Sequence, residues 1–129
     1  MGEPMVGHLA RAGYRLALFD ATPGLAARIA ATLERASAAA TPADVARHSD
    51  IVVTMVPNGE VVRELVRAPG GLLEGFRAGS QLLDTSSSEP WLTRETAALL
   101  SDHGVAQVDT PVSGTQWIVL ITWQLPWQP

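Results

Sequence analysis

The first residues with chemical potential are a glycine and an acid. Met1-Gly2 stands at the mouth of an amphipathic segment, and Asp20 closes the apolar run that follows it. A glycine at a helix mouth lets backbone N–H groups approach an anion such as a pyrophosphate. A carboxylate about 20 residues further on can accept hydrogen bonds from ribose hydroxyls. The same two residues would also serve simply as a helix start and a strand-end turn. A second polar cluster, Thr85-Ser86-Ser87-Ser88, lies between an apolar run and Pro90, where it could present hydroxyls to a ligand or cap the next helix.

Other chemistries are excluded by composition. The 129 residues include no cysteine, which removes disulfides, thiolate metal sites and cysteine nucleophiles. All 9 basic residues are arginines, so the chain holds no lysine for acid–base or Schiff-base work. A net charge of −4 lacks the basic excess of a nucleic-acid binder, so no nucleic-acid partner is expected. His48 and His103 fall near predicted helix C-termini, where the dipole favours an imidazolium. No spacing between them and His8 suggests a metal site. Glu60, Glu64 and Glu74 read as solvated charges.

The elements that must position these residues alternate. With 47% hydrophobic and 17% charged residues the chain is core-forming. Helical periodicity covers Glu3–Ala12, with Met5, Leu9 and Ala12 on one face and Gly13 as the C-cap. Tyr14–Phe19 reads as a strand. Thr22-Pro23 reads as an N-cap and N1 pair opening a helix that carries Leu25, Ile29 and Leu33. A short strand is expected over Ala36–Ala40, and Thr41-Pro42 starts another helix. Ile51–Val56 is an unbroken apolar run, which predicts a strand buried on both faces. Glu60–Arg67 is a helix with Val61, Val62 and Leu65 inward. Pro69-Gly70-Gly71 and Gly79 bracket a loop. Gln81–Asp84 and Val105–Val108 are strands, the second ending in Asp109. Between them Pro90–His103 is a helix striped by Leu92, Thr96, Leu99 and Leu100 and capped by Gly104. Strands alternating with helices argue for an α/β fold with a parallel sheet.

The end of the chain departs from this pattern. Thr115–Pro129 has no charged residue and holds Trp117, Trp123 and Trp127, three of the 4 tryptophans. No run reaches the ~18–20 apolar residues of a membrane span, so no membrane partner is expected. Met1–Ala12 lacks a secretory pattern, which makes the cytoplasm the default location.

Four segments, in order, resemble the β-hydroxyacid dehydrogenase family of 3-hydroxyisobutyrate and 2-hydroxy-3-oxopropionate dehydrogenases. Met1-Gly2-Glu3-Pro4-Met5, with Leu9 and Ala12-Gly13, is similar to the second half of that family's G-x-G-x-M-G-x-x-M opening, although His8 replaces the usual Asn. Ser49-Asp50-Ile51-Val52-Val53-Thr54-Met55-Val56-Pro57 is similar to A-D-V-V-x-T-M-L-P. Leu83-Asp84-Thr85-Ser86-Ser87-Ser88-Glu89-Pro90 is similar to I-D-x-S-T-x-x-P. Asp109-Thr110-Pro111-Val112-Ser113-Gly114 is similar to D-A-P-V-S-G-G.

The resemblance implies a Rossmann-type doubly wound, mostly parallel sheet whose residues 1–114 are a partial dinucleotide-binding domain. It implies that Met1 and Gly2 lie at the pyrophosphate and that Val56, Pro57 and Val61 line the adenosine side. Ser87 would face the nicotinamide half, while Ser113 and Gly114 would hold a substrate carboxylate. The implied parent is a homo-oligomeric enzyme that oxidises a small 3-hydroxy acid to its semialdehyde. Asp20 repels a 2′-phosphate and no Arg follows until Arg28, so NAD is favoured over NADP.

Two departures carry their own expectations. The sequence begins inside the glycine motif, so the sheet is expected to lack its first, central strand. Its match stops at Gly114, before the part of the family that supplies a catalytic lysine. Residues 115–129 are then expected to be non-homologous, and no catalytic residue is assigned within the chain. Rival readings are a non-catalytic NAD(P)-binding module, a fragment of a related 6-phosphogluconate dehydrogenase or imine reductase, and an interaction protein docking through its Trp-rich tail. Pro111-Val112-Ser113-Gly114 suits hydroxyacid enzymes better than imine reductases.

Overall fold

A computed structural model describes residues 2–112. Helix α1 (Gly2–Arg11) leads into strand β1 (Leu16–Leu18), helix α2 (Leu25–Ala30) and strand β2 (Ala36–Ala38). Helix α3 (Pro42–Arg47), strand β3 (Ile51–Thr54), helices α4 (Gly59–Arg67) and α5 (Leu72–Gly75), strand β4 (Gln81–Asp84), helix α6 (Pro90–Ser101) and strand β5 (Ala106–Asp109) follow. Among the described residues no helix is long and apolar enough to cross a membrane.

All strand pairs are parallel, and they form two sheets, β1-β2 and β3-β4-β5. These are the two flanks, 3-2 and 4-5-6, of a doubly wound 3-2-1-4-5-6 sheet. Among the described residues no strand joins them. This matches the expectation of a Rossmann-type sheet without its first strand.

Local signals explain several element ends. The positive φ of Gly13 (89°) and Gly104 (73°) lets the chain leave α1 and α6 without Cβ strain. Thr41 Oγ1 accepts from Asp44 N–H at 3.1 Å and caps α3, with Pro42 in its first turn. Asn58 Oδ1 does the same for Val61 N–H at the start of α4. His48 Nδ1 and His103 Nδ1 donate to the carbonyls of Asp44 and Leu99, at 2.8 and 2.9 Å, at the ends of their helices.

The structure corrects three local expectations. Helix α2 starts at Leu25, after Gly24 in the left-handed region, and not at Pro23. Leu25 N–H donates to the Thr22 carbonyl at 3.2 Å, so residues 22–25 form a turn of their own, with Thr22 N–H held by Asp20 Oδ1, and Gly24 at φ 77° starts the helix. The loop expected between Gly70 and Gly79 contains the short helix α5. Its Gly75 packs so closely on α3 that a Cβ there would stand 2.0 Å from the Ala43 carbonyl oxygen.

The third correction concerns β3, which is not buried on both faces. Val52 and Thr54 are buried, but Ile51 and Val53 are 47% and 40% exposed. The buried residues of α3, α4, α5 and α6 (Ala46, Val62, Val66, Leu72 and Leu100) gather with Val52, Leu82 and Val105 on one side of the sheet. On the other side the register aligns Val53, Leu83 and Val108 in one row, and Val108 is also exposed.

Candidate functional site

The C-terminal ends of β3, β4 and β5 meet in a polar knot. Asp84, the last residue of β4, is fully buried. Its Oδ1 accepts from Thr54 Oγ1 and from Ser86 N–H, both at 3.0 Å, and its Oδ2 accepts from Ser88 Oγ at 2.8 Å. Its backbone carbonyl accepts from Thr110 N–H at 2.8 Å, beyond β5. Thr85 Oγ1 donates to the Thr54 carbonyl at 2.6 Å, and Val56 N–H donates to Ser86 Oγ at 3.0 Å. Among the described residues Asp84 has no ion-pair partner.

These bonds decide what the Ser/Thr loop does. Thr85 and Ser86 are buried, Ser88 is half-buried, and Ser87 alone of the four is exposed. The loop does not cap α6, as its composition allowed: Glu89 is the N-cap and makes no side-chain capping bond. The side chains turn back to the strand ends instead: Ser88 Oγ donates to the buried Asp84 carboxylate, Thr85 Oγ1 to the Thr54 carbonyl, and Ser86 Oγ takes the Val56 N–H.

The expected cofactor residues fall in two places. Val56, Pro57 and Ser87 come together, since the Val56–Ser86 bond ties the loop after β3 to the loop after β4. Val56 and Val61 are half-buried and Pro57 is exposed. Asp20 stands elsewhere, just past β1 in the other sheet. It is exposed, and Oδ1 is engaged by Thr22 N–H at 2.7 Å. Gly2 opens α1, and nothing lies within 4 Å of where its Cβ would be. Met1, Ser113, Gly114 and the 115–129 tail lie outside the described residues.

Asp84 and Thr54 were given no site role by the sequence. The signal available was Asp84 followed two residues later by Ser86, the pattern of an Asx turn. Among the described residues no group of three His, Asp or Glu side chains could hold a metal ion.

This arrangement fits a dinucleotide. Parallel strands release their C-terminal loops on one edge, where open α/β sheets bind ligands. The free first-turn N–H groups of α1 suit a pyrophosphate, and the exposed Asp20 carboxylate suits a ribose. Fold and strand-end loops together define a Rossmann-type nucleotide-binding domain.

The comparisons narrow this class. Residues 1–120 match the NAD binding domain of 6-phosphogluconate dehydrogenase, and the chain belongs to that family. The 3-hydroxyisobutyrate dehydrogenase of Rattus norvegicus mitochondria is 34% identical over 114 residues, which cover 88% of this chain and 33% of that protein. The Mycobacterium tuberculosis 3-hydroxyisobutyrate dehydrogenase, solved with L-serine, superposes with a TM-score of 0.79 at 34% identity, over 88% of this chain and 38% of the other. An imine reductase from Myxococcus stipitatus in complex with NADP+ gives 0.72 at 25% identity, over 83% and 36%. The protein is thus an NAD-binding domain of that family, similar in sequence to the matching part of 3-hydroxyisobutyrate dehydrogenases. It spans about a third of the rat enzyme's length.

Proposed function

We propose that this chain is the cofactor-binding part of an NAD-dependent dehydrogenase that oxidises a small 3-hydroxy acid to its semialdehyde, or catalyses the reverse. The carrying observation is that Asp20, Val56, Pro57 and Ser87 all follow the C-terminal ends of parallel strands, with Asp20 and Ser87 exposed. A nicotinamide dinucleotide supplies hydride exchange at its ring; the protein supplies binding and orientation. In this reading Met1 and Gly2 contact the pyrophosphate, Asp20 the ribose, and Val56, Pro57 and Val61 the adenosine. Ser87 faces the nicotinamide, while Ser113 and Gly114 orient a substrate carboxylate. The family resemblance gives the acid/base role to a lysine, and with no lysine here that group comes, in this reading, from outside these residues. The parent enzyme is a homo-oligomer working on a free small molecule.

The preference for NAD rests on charge. The Asp20 carboxylate repels a 2′-phosphate, and the residues that follow it, Ala21 and Thr22, offer no cation. Titrating the protein with NADH and NADPH tests both parts of the proposal. NADH is expected to bind more tightly. Equal or tighter NADPH binding removes the preference, and binding of neither removes the function. Incubation with NAD and 3-hydroxyisobutyrate is expected to give no turnover from the 129 residues alone.

A further inference from the structure

The chemistry that the proposed function leaves unused is the fully buried Asp84. It sits where three strand ends meet. Its side chain holds Thr54 of β3, Ser86 and Ser88 of its own following loop, and its carbonyl holds Thr110 after β5. Through Ser86 Oγ the same knot reaches Val56 N–H. All three side-chain contacts are donated to Asp84, which suits an acceptor-only carboxylate. A carboxylate buried without a cation is costly unless its hydrogen bonds are complete. Packing alone would not need it, since an apolar residue at the same buried position avoids that cost.

The consequence is geometric. Residues 85, 86 and 88 point inward to this knot, and Ser87 is left as the outward residue. We propose that Asp84 is a positioning residue. It fixes Ser87 in the orientation that receives the nicotinamide half of the dinucleotide. This inference rests on the nucleotide-binding reading above and assigns its precision to one buried group. Of the residues assigned to the rest of the dinucleotide, Asp20, Gly2 and Val61 share no hydrogen bond with the knot, and Val56 meets it only where its N–H donates to Ser86 Oγ.

The test compares NADH with ADP-ribose, which lacks the nicotinamide, on the full chain. Asp84→Ala is expected to weaken NADH about tenfold, the loss of one hydrogen bond between Ser87 and the nicotinamide half. ADP-ribose binding should change less than about twofold, within the scatter of one weak contact. Asp84→Asn should recover most of the NADH affinity, because Oδ1 still accepts and the amide nitrogen can donate to Ser88 Oγ. If Asp84→Ala does not fold, Ser88→Ala removes one arm of the knot without touching Val56 and should show the same split. Parallel loss of both ligands, or loss of neither, overturns the proposal and leaves Asp84 a structural residue. If the unmodified chain binds neither ligand, the nucleotide-binding reading fails first and takes this inference with it.

Discussion

Two small parallel sheets, both built from strands of 3 or 4 residues, differ sharply in how they are held. The β3-β4-β5 sheet carries Val52 and Leu82 into a core shared with α3, α4, α5 and α6, and Asp84 ties its strand ends together. The β1-β2 pair buries no residue of either strand. Its helices contribute only Met5 and Ala30. Short strands carry few ladder hydrogen bonds, so what layers over them decides their stability. The comparison also divides the site. Val56, Pro57, Val61 and Ser87 sit with the well-packed sheet, and Asp20 sits with the poorly packed one.

The sharpest way to break this contrast is to empty the core. Leu100, fully buried on α6, should cost about 2–5 kcal/mol when changed to Ala, read as a shift of the urea midpoint. Leu18→Ala, half-buried in β1, should cost under about 1.5 kcal/mol, in line with its partial burial. Equal losses would mean that the two sheets share one core.

Glycine substitutions should separate the regions next. Gly75→Ala drives a Cβ against the Ala43 backbone and should destabilise by about 1–3 kcal/mol. Gly7→Ala in α1 meets only the tip of Arg11 at 3.7 Å and should stabilise by roughly 0.5–1 kcal/mol through helix propensity. Thermal melts of the two variants would check the opposite signs. Removing the α4 cap with Asn58→Ala should cost about 1 kcal/mol by the same measurement. The smallest stability effect is expected at exposed Asp20, where Asp20→Ala should stay within about 0.5 kcal/mol. The same change should narrow the gap between NADH and NADPH affinities in a binding titration.

Much of the fold could be read in advance because its signals are local. The β4 run Gln81–Asp84, the Thr41 cap and the exits at Gly13 and Gly104 each depend on residues a few positions apart. The start of α2 was not legible, because a turn closed by Leu25 N–H on Thr22 and the left-handed Gly24 come before it. The exposed face of β3 was equally hidden, since an apolar run does not say which of its sides a helix will cover.

The sequence by itself determined the order of strands and helices, the absence of lysine and cysteine, and the polar residues at strand ends. Only the tertiary structure decided that Asp84 would bury its carboxylate and turn three neighbouring hydroxyl residues away from solvent. The Thr54–Asp84 and Val56–Ser86 bonds join residues 30 apart, through parallel pairing of β3 with β4. Propensities and caps act over one turn of chain, whereas a partner at that separation exists only once two strands have settled their register.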